Sequence, residues 1–228
     1  MQHPKDLSTK ERIIQAIARV LGAVKWPLVF LLIALAAFVL IYLVVGEVRS
    51  NRIEKSTVIA ERIEDDFESW LALEEDEDRE TAGVDLLERI DGLIESYPRY
   101  YAAQRALYIR GRIYFQTATW EGAKDSFVEI ADRFPKSYLA PIALVNAATA
   151  MEEAEKFDDA IKLLVRVTEE FLSPEVPAVL FSLGRLHETT LDPDGALRYY
   201  NRLLDEHPSS GWTNLAQTRI IVINIDRS

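Results

Sequence analysis

The sequence predicts an all-α protein in which helical hairpins stack as a short solenoid behind one transmembrane helix. Two observations lead to this prediction. Ala123, Ala160 and Ala196 recur in similar settings at spacings of 37 and 36 residues, and a repeat of that length is typical of stacked two-helix units. Residues 26–45 form an uncharged apolar run of 20 residues, which as a helix matches the thickness of a bilayer's hydrocarbon core.

The composition excludes several classes of function. The chain has 228 residues and no cysteine, so disulfides, thiolate metal sites and cysteine nucleophiles are absent. The net charge is -11, and residues 51–228 hold 20 Lys or Arg against 34 Asp or Glu. Nucleic-acid binding needs a basic surface, so we do not expect a nucleic-acid partner.

Residues 26–46 are predicted to be a transmembrane signal-anchor helix. Trp26 and Tyr42 lie near its ends, where amphipathic rings favour the headgroup level. The segment VVGEVRS that follows lacks a small-x-small cleavage site, so we expect the anchor to be retained. The flanking Lys and Arg residues favour a cytoplasmic N-terminus. This predicts a single-pass inner (plasma) membrane protein whose C-terminal domain is periplasmic or otherwise extracytoplasmic.

Residues 1–25 precede the anchor and are predicted to be a cytoplasmic tail with an amphipathic helix. Two arrangements are open: this helix lies on the inner membrane surface, or it extends the anchor. The apolar residues at helical spacing are Ile13, Ile14, Ile17, Val20, Leu21 and Val24.

Residues 47–82 are predicted to be a helical stalk followed by an acidic turn. The turn is EEDEDRE, and it lacks the glycine and the alternating ligands of a calcium loop, so we expect neither a metal ion nor a cofactor. Apolar stalk residues that pack on the first repeat are expected to be Val58, Ile59, Ile63, Phe67, Trp70 and Leu71.

Residues 83–228 carry the repeats and a C-terminal capping helix predicted over 211–226. The stretch from Gly111 to Pro135 resembles the tetratricopeptide repeat, since its glycine, tyrosine, alanine, phenylalanine and proline stand at every offset of that pattern. The unit around Gly184 matches well, and the unit between them keeps residue size more than identity. Ser173-Pro174 and Asp192-Pro193 each predict a helix start, because a capping side chain precedes a proline.

The sequence gives no indication of an enzyme. It has three histidines without metal-ligand spacing, and it lacks nucleophile-elbow, phosphate-loop and dinucleotide motifs. His187 stands where the repeat usually has tyrosine, so we interpret it as a packing residue.

In tetratricopeptide-repeat proteins the first helix of each hairpin lines a groove, and the resemblance to these repeats therefore implies a peptide-binding surface. An alternative is that some of these residues, Phe115 especially, pack against the stalk or the capping helix. The predicted groove residues are Arg105, Tyr108, Arg112, Phe115, Asn146, Phe181 and Arg185.

The whole arrangement is similar to the YfgM-like family of membrane-anchored tetratricopeptide-repeat proteins. That resemblance implies an interaction module ancillary to the Sec translocon, with translocon subunits, secreted polypeptides and periplasmic chaperones as partners. Its expected role is to assist the handover of secreted or envelope proteins to those chaperones. The alternative is a structural scaffold of an envelope complex, such as one for outer-membrane assembly or cell division. The sequence leaves the oligomeric state open.

Overall fold

The computed structural model describes residues 9–227, and these residues form helices joined by short turns. This confirms the predicted all-α class. The helices are α1 (Thr9–Leu71), α2 (Asp76–Ser96), α3 (Tyr101–Gln116), α4 (Trp120–Arg133), α5 (Leu139–Glu153), α6 (Phe157–Glu170), α7 (Val176–Thr189), α8 (Pro193–Glu206) and α9 (Gly211–Asp226).

The chain divides into two units, residues 1–54 and residues 55–228. In the first unit the described residues belong to α1, which runs without a break from Thr9 through the apolar segment. Residues 1–8 of the predicted cytoplasmic tail lie outside the described residues. Ile13, Ile14 and Ile17 are exposed, and their inclusion in the same helix as the apolar run corresponds to the second of the two arrangements considered above.

Residues 29–45 in the apolar segment of α1 are exposed, including Phe30, Leu35 and Phe38. Within the described part of the chain it is the one helix long and apolar enough to cross a membrane. A row of exposed aliphatic and aromatic side chains is stable only out of water. Its length and composition fit a membrane anchor or an N-terminal signal.

The second unit begins with a hairpin made by residues 55–71 of α1 and by α2. Trp70 Nε1 donates a hydrogen bond of 2.8 Å to the carbonyl of Arg79, and Arg89 lies 2.5 Å from the Asp66 carboxylate. The buried apolar residues shared by the two helices are Ala60, Ile63, Phe67, Trp70, Leu86, Ile90, Leu93 and Ile94. The predicted stalk is therefore the first helix of the stack.

Two details of this region differ from the sequence expectation. Val58 and Ile59 are exposed, so the buried face of the stalk is narrower than predicted. The acidic run is mostly helical, because α2 begins at Asp76 and only residues 72–75 connect the two helices. Carboxylates in the first turn of a helix interact favourably with its macrodipole, which explains why an acidic run starts a helix here.

Three further hairpins follow: α3 with α4, α5 with α6, and α7 with α8. A side chain at Gly111 would place its Cβ 2.6 Å from the Phe127 ring, and one at Gly184 would lie 2.6 Å from two atoms of the Tyr200 ring. These glycines let the two helices of a hairpin approach with an aromatic ring between them. Ala123, Ala160 and Ala196 are fully buried on the facing helices, as the repeat spacing predicted.

The turns inside these hairpins share one backbone conformation. Ala118, Glu155 and Leu191 have φ of 54°, 57° and 60°, which is the left-handed region that a non-glycine residue adopts at a cost. The residue after each donates its N–H to a carbonyl five residues earlier, at 2.8 Å in every turn. This is the Schellman-type ending of a helix.

The two predicted helix starts have different outcomes. Asp192 caps α8, and its side chain accepts from the Gly195 amide at 2.9 Å, with Pro193 as the first helical residue. The prediction at Ser173-Pro174 is wrong by two residues, because α7 begins at Val176 with Glu175 at the cap position.

The capping helix α9 packs on the last hairpin, where Thr213, Ala216 and Ile223 are buried. Ala216 and Ile223 belong, together with Leu180, Tyr200 and Leu203, to a second, smaller cluster of buried residues. The main core runs from α1 to α7.

Candidate binding groove

The first helices of the hairpins lie side by side, and we call the surface they form the inner face. It comprises residues 55–71 of α1 and the helices α3, α5, α7 and α9. Each neighbouring pair is joined by a polar contact between side chains. The contacts are Glu64 with Arg105, Tyr108 with Asn146, Glu152 with Arg185, and Glu188 with Arg219.

The centre of the inner face holds a cavity of about 210 Å³. It lies between α3 and α5, and a cavity of this size accommodates one or two side chains of a partner. Four of the seven predicted groove residues line it. The lining residues are Tyr108, Arg112, Phe115, Gln116, Phe127, Asn146 and Thr149.

Arg112 supplies the positive charge of this cavity. Its guanidinium lies 4.5 Å from the centroid of the Phe67 ring, a cation–π geometry. The carboxylate of Glu68 lies 3.9 Å from this guanidinium, and the Arg112 side chain remains 42% exposed. Because an exposed pair at that distance contributes little, the guanidinium is held in place and still faces solvent.

Arg105 is in a different position, although the repeat pattern assigns it to the same surface. It forms an ion pair with Glu64, and its side chain is only 23% exposed. The charge of Arg105 is therefore used to join α1 to α3.

Tyr108 and Asn146 form the polar floor of the cavity. Asn146 Nδ2 donates to Tyr108 Oη at 3.0 Å, and the Tyr108 ring is tilted against Phe127 at 5.5 Å. Phe115 closes one side, with its ring 5.1 Å from Trp120 in an edge-on arrangement. An aromatic wall beside one cation and one amide suits a polypeptide segment with apolar and acidic side chains.

Phe181 and Arg185 do not line this cavity. The Phe181 ring is 5.5 Å from Tyr200 and 5.2 Å from Trp212, so it packs against the capping helix. Arg185 is paired with Glu152 on α5. These two residues connect α7 to its neighbours.

The seven predicted groove residues leave out three residues of the cavity, Gln116, Phe127 and Thr149. Phe127 belongs to the second helix of its hairpin, and its position in the repeat pattern predicts packing; it is 2% exposed. Because Gly111 has no side chain, the Phe127 ring extends past it to the inner face. Gln116 is the last residue of α3, and no pattern singled it out.

His187 occupies the packing position that the sequence predicted. Its Nδ1 lies 2.9 Å from the Asp192 carboxylate, and its ring stacks on Tyr199 at 5.2 Å. The hydrogen bond from the Gly195 amide has the largest effect on the pKa of Asp192 and holds it below its usual value, and the hydrogen bond with His187 lowers it further. The imidazole thus links the end of α7 to the cap of α8.

Comparison with known proteins agrees with this architecture. Residues 105–137 and residues 145–211 each match a family model of the tetratricopeptide repeat. The chain contains tetratricopeptide repeats. The two matched segments include every residue that lines the cavity, while the first hairpin and most of α9 lie outside them.

The chain is similar to two known proteins over part of its length. A tetratricopeptide repeat-containing protein of Treponema pallidum (strain Nichols) is 32% identical over 113 residues, which are 50% of this chain and 47% of that protein. The chain therefore spans about half the length of this curated relative. A solved structure from a functional characterization of Pseudomonas aeruginosa PilF covers 61% of this chain and 60% of its own, with 16% identity and a TM-score of 0.40.

Proposed function

We propose that this protein is a membrane-tethered interaction module that binds segments of other polypeptides on the inner face of its repeats. Tetratricopeptide repeats bind protein partners, and their fold by itself does not identify the partner. The observation that carries the proposal is the cavity between α3 and α5, where the exposed Arg112 guanidinium stands beside an aromatic wall.

The charges of the repeat unit define the partner further. Residues 51–228 are strongly acidic, so a partner that carried only negative charge would be repelled by most of the surface. At the cavity, one cation and several rings accept a short segment with an apolar side chain next to a carboxylate. A partly unfolded polypeptide exposes such segments, whereas a folded acidic protein does not.

The apolar part of α1 supplies the tether in this proposal. With a cytoplasmic N-terminus, the repeats stand on the extracytoplasmic side of the inner membrane, which in a two-membrane bacterium is the periplasm. There the module meets polypeptides as they leave the Sec translocon and helps to pass them to periplasmic chaperones. This role is the one that the resemblance to YfgM-like proteins implies.

Site-specific photo-crosslinking in membranes tests the proposal. A photoreactive residue is placed at Thr149, which lines the cavity and is exposed, while a secretory precursor is stalled in the translocon. We expect a crosslink to the precursor. The matched control is Lys162 on α6, whose side chain is 74% exposed and which lies on a second helix of a hairpin.

Equal labelling from Thr149 and Lys162, or none from Thr149, would contradict the proposal. Constant labelling of one envelope complex, unaffected by blocking secretion, would instead favour a structural scaffold.

A further inference from the structure

We propose that α9 is a self-association surface through which two copies of this chain pair with their α9 helices antiparallel. The surface is a stripe of residues on the side of α9 opposite its buried residues, which we call the α9 stripe. It consists of Leu215, Thr218, Ile221, Val222 and Ile225. This inference does not depend on the proposed function.

The aliphatic residues of the stripe are accessible to solvent. Leu215 is 51% exposed, Ile221 60% and Ile225 66%. A capping helix of a repeat array normally has a polar outer surface. In the described part of the chain no other helix covers this side of α9, so apolar area remains that association removes from water.

A further hairpin helix of the usual kind does not fit on α9. In α3 and α7 the position that faces the second helix is Gly111 or Gly184, and an aromatic ring occupies the space that a Cβ would take. With the buried residues of α3 and α9 aligned, the same position in α9 is Ile221. The Ile221 side chain blocks that close approach. A partner of α9 must therefore pack on bulky aliphatic residues.

The charge of the stripe fits a second copy of the chain. Between Gly211 and Ile225 the one charged residue is Arg219, and it is engaged by Glu188 on α7 through two hydrogen bonds. The chain has a net charge of -11, so most other surfaces of two copies repel each other. The α9 stripe brings two copies together without placing like charges in contact.

The spacing of the stripe favours the antiparallel arrangement. Leu215, Thr218, Val222 and Ile225 recur at intervals of three and four residues, the period of a helix-pairing seam. Their centre is residue 220, so a two-fold axis there places Leu215 opposite Ile225 and Thr218 opposite Val222. Antiparallel pairing also places the N-terminus of each α9 beside the C-terminus of the other, where the two helix macrodipoles attract each other.

The interface is small. A helix of 16 residues is about 24 Å long, and one helix pair buries less than the roughly 800 Å² per partner of a standard stable complex. We therefore expect a weak dimer that forms at high protein concentration or when copies are confined to one surface.

Cysteine crosslinking of the full-length chain in detergent, at high concentration, tests this inference, and the absence of natural cysteines makes it clean. Differently tagged Thr218→Cys and Val222→Cys chains are mixed and oxidised. We expect the mixed disulfide to exceed each homodimer several-fold, and the same for Leu215→Cys with Ile225→Cys. Adding Ile225→Asp to the first pair should abolish the product without changing the helical content.

The control is Val84→Cys on α2, an aliphatic position that is 65% exposed and remote from α9. Crosslinking of Val84→Cys to the same extent would mean that chains collide without a specific surface, and it would overturn the proposal. Homodimers in excess of the mixed product would overturn the antiparallel arrangement. Absence of any product, or capture of an added unfolded secretory precursor in preference to the second copy, would overturn the dimer.

Discussion

Replacement of Gly184 by alanine tests the packing that shapes the repeat unit. The new Cβ would lie 2.6 Å from two atoms of the Tyr200 ring, far inside van der Waals contact. Tyr200 is fully buried, and its hydroxyl donates to Glu188 at 2.6 Å. The ring therefore has no space to retreat, and α7 and α8 must separate.

The expected cost follows from two opposing terms. Overpacking a well-filled core costs up to about 3 kcal/mol, while alanine is about 1 kcal/mol better than glycine within a helix. The net loss of folding free energy is about 2 kcal/mol. For a unit of this size it corresponds to a decrease of about 4–8 °C in the melting temperature.

Thermal unfolding of residues 55–228, followed by circular dichroism, provides the measurement. Hydrogen exchange localises the effect, which should be largest in α7 and α8 because repeats contact mainly their neighbours. Gly92→Ala is the matched control: Gly92 lies within α2 and a Cβ there meets nothing within 4 Å. It should raise the melting temperature by about 2–4 °C.

Opposite signs for the two substitutions support the packing described here. A neutral or stabilising effect of Gly184→Ala would show that the hairpin is looser than its geometry indicates, and it would refute the reasoning from close helix approach.

Three further predictions follow from the described contacts. Burial raises the pKa of Glu188, but hydrogen bonds from Arg219 and Tyr200 outweigh burial and lower that pKa below its ordinary value of 4.5. The ionised carboxylate therefore stabilises the fold at pH values above 4.5. This stabilisation is lost as the pH falls through the lowered pKa. Glu188→Gln should cost about 1–2 kcal/mol in urea unfolding at pH 7 and less at pH 3, and an equal cost at both would contradict this. Leu191→Gly should stabilise the unit by about 0.5–1 kcal/mol by removing left-handed strain, since this side chain is 89% exposed; a melting temperature that falls would argue against strain at this turn. Glu74→Cys, between α1 and α2, should react with a membrane-impermeant thiol reagent in intact spheroplasts, and protection until the membrane is opened would reverse the proposed topology.

Much of the fold could be predicted from sequence because its packing has a fixed period. Every close hairpin needs a small residue on its first helix and an alanine on the facing helix. Gly111 with Ala123 and Gly184 with Ala196 therefore have the same separation along the chain. The pattern is local in the sequence, so it can be recognised without a structure. The same residues account for the shape of the inner face, since the missing side chain at Gly111 admits the Phe127 ring.

The first hairpin escaped the pattern for a physical reason. Its first helix is the continuation of the apolar segment, and its second begins inside an acidic run that sequence reasoning interpreted as a turn. Helix α2 has no glycine equivalent to Gly111 in close contact with an aromatic ring, although Gly83 lies beside Trp70. The sequence predicted that Ile63, Phe67 and Trp70 pack on the first repeat, but their contacts with α2 are needed to show that this segment is itself the first helix of the stack.

The candidate site could be predicted only in part. Repeat register assigns a residue to the inner face, but it does not reveal whether a neighbouring helix has already engaged the side chain. Arg105 and Arg112 are seven residues apart on the same face, yet one is paired with Glu64 while the other remains accessible. That difference depends on the position of α1, which the repeat pattern does not include.

The affinity of the full-length protein for an unfolded secretory precursor tests the central claim most directly. Arg112→Glu removes the cation of the cavity, and the loss of a charge-assisted contact should weaken binding by about tenfold or more. The control Lys162→Glu makes the same charge change on α6 and should leave the affinity unchanged, with unaltered melting temperatures verifying that both variants fold. Equal affinities of Arg112→Glu, Lys162→Glu and the unmodified protein would contradict the claim that the inner face binds polypeptides.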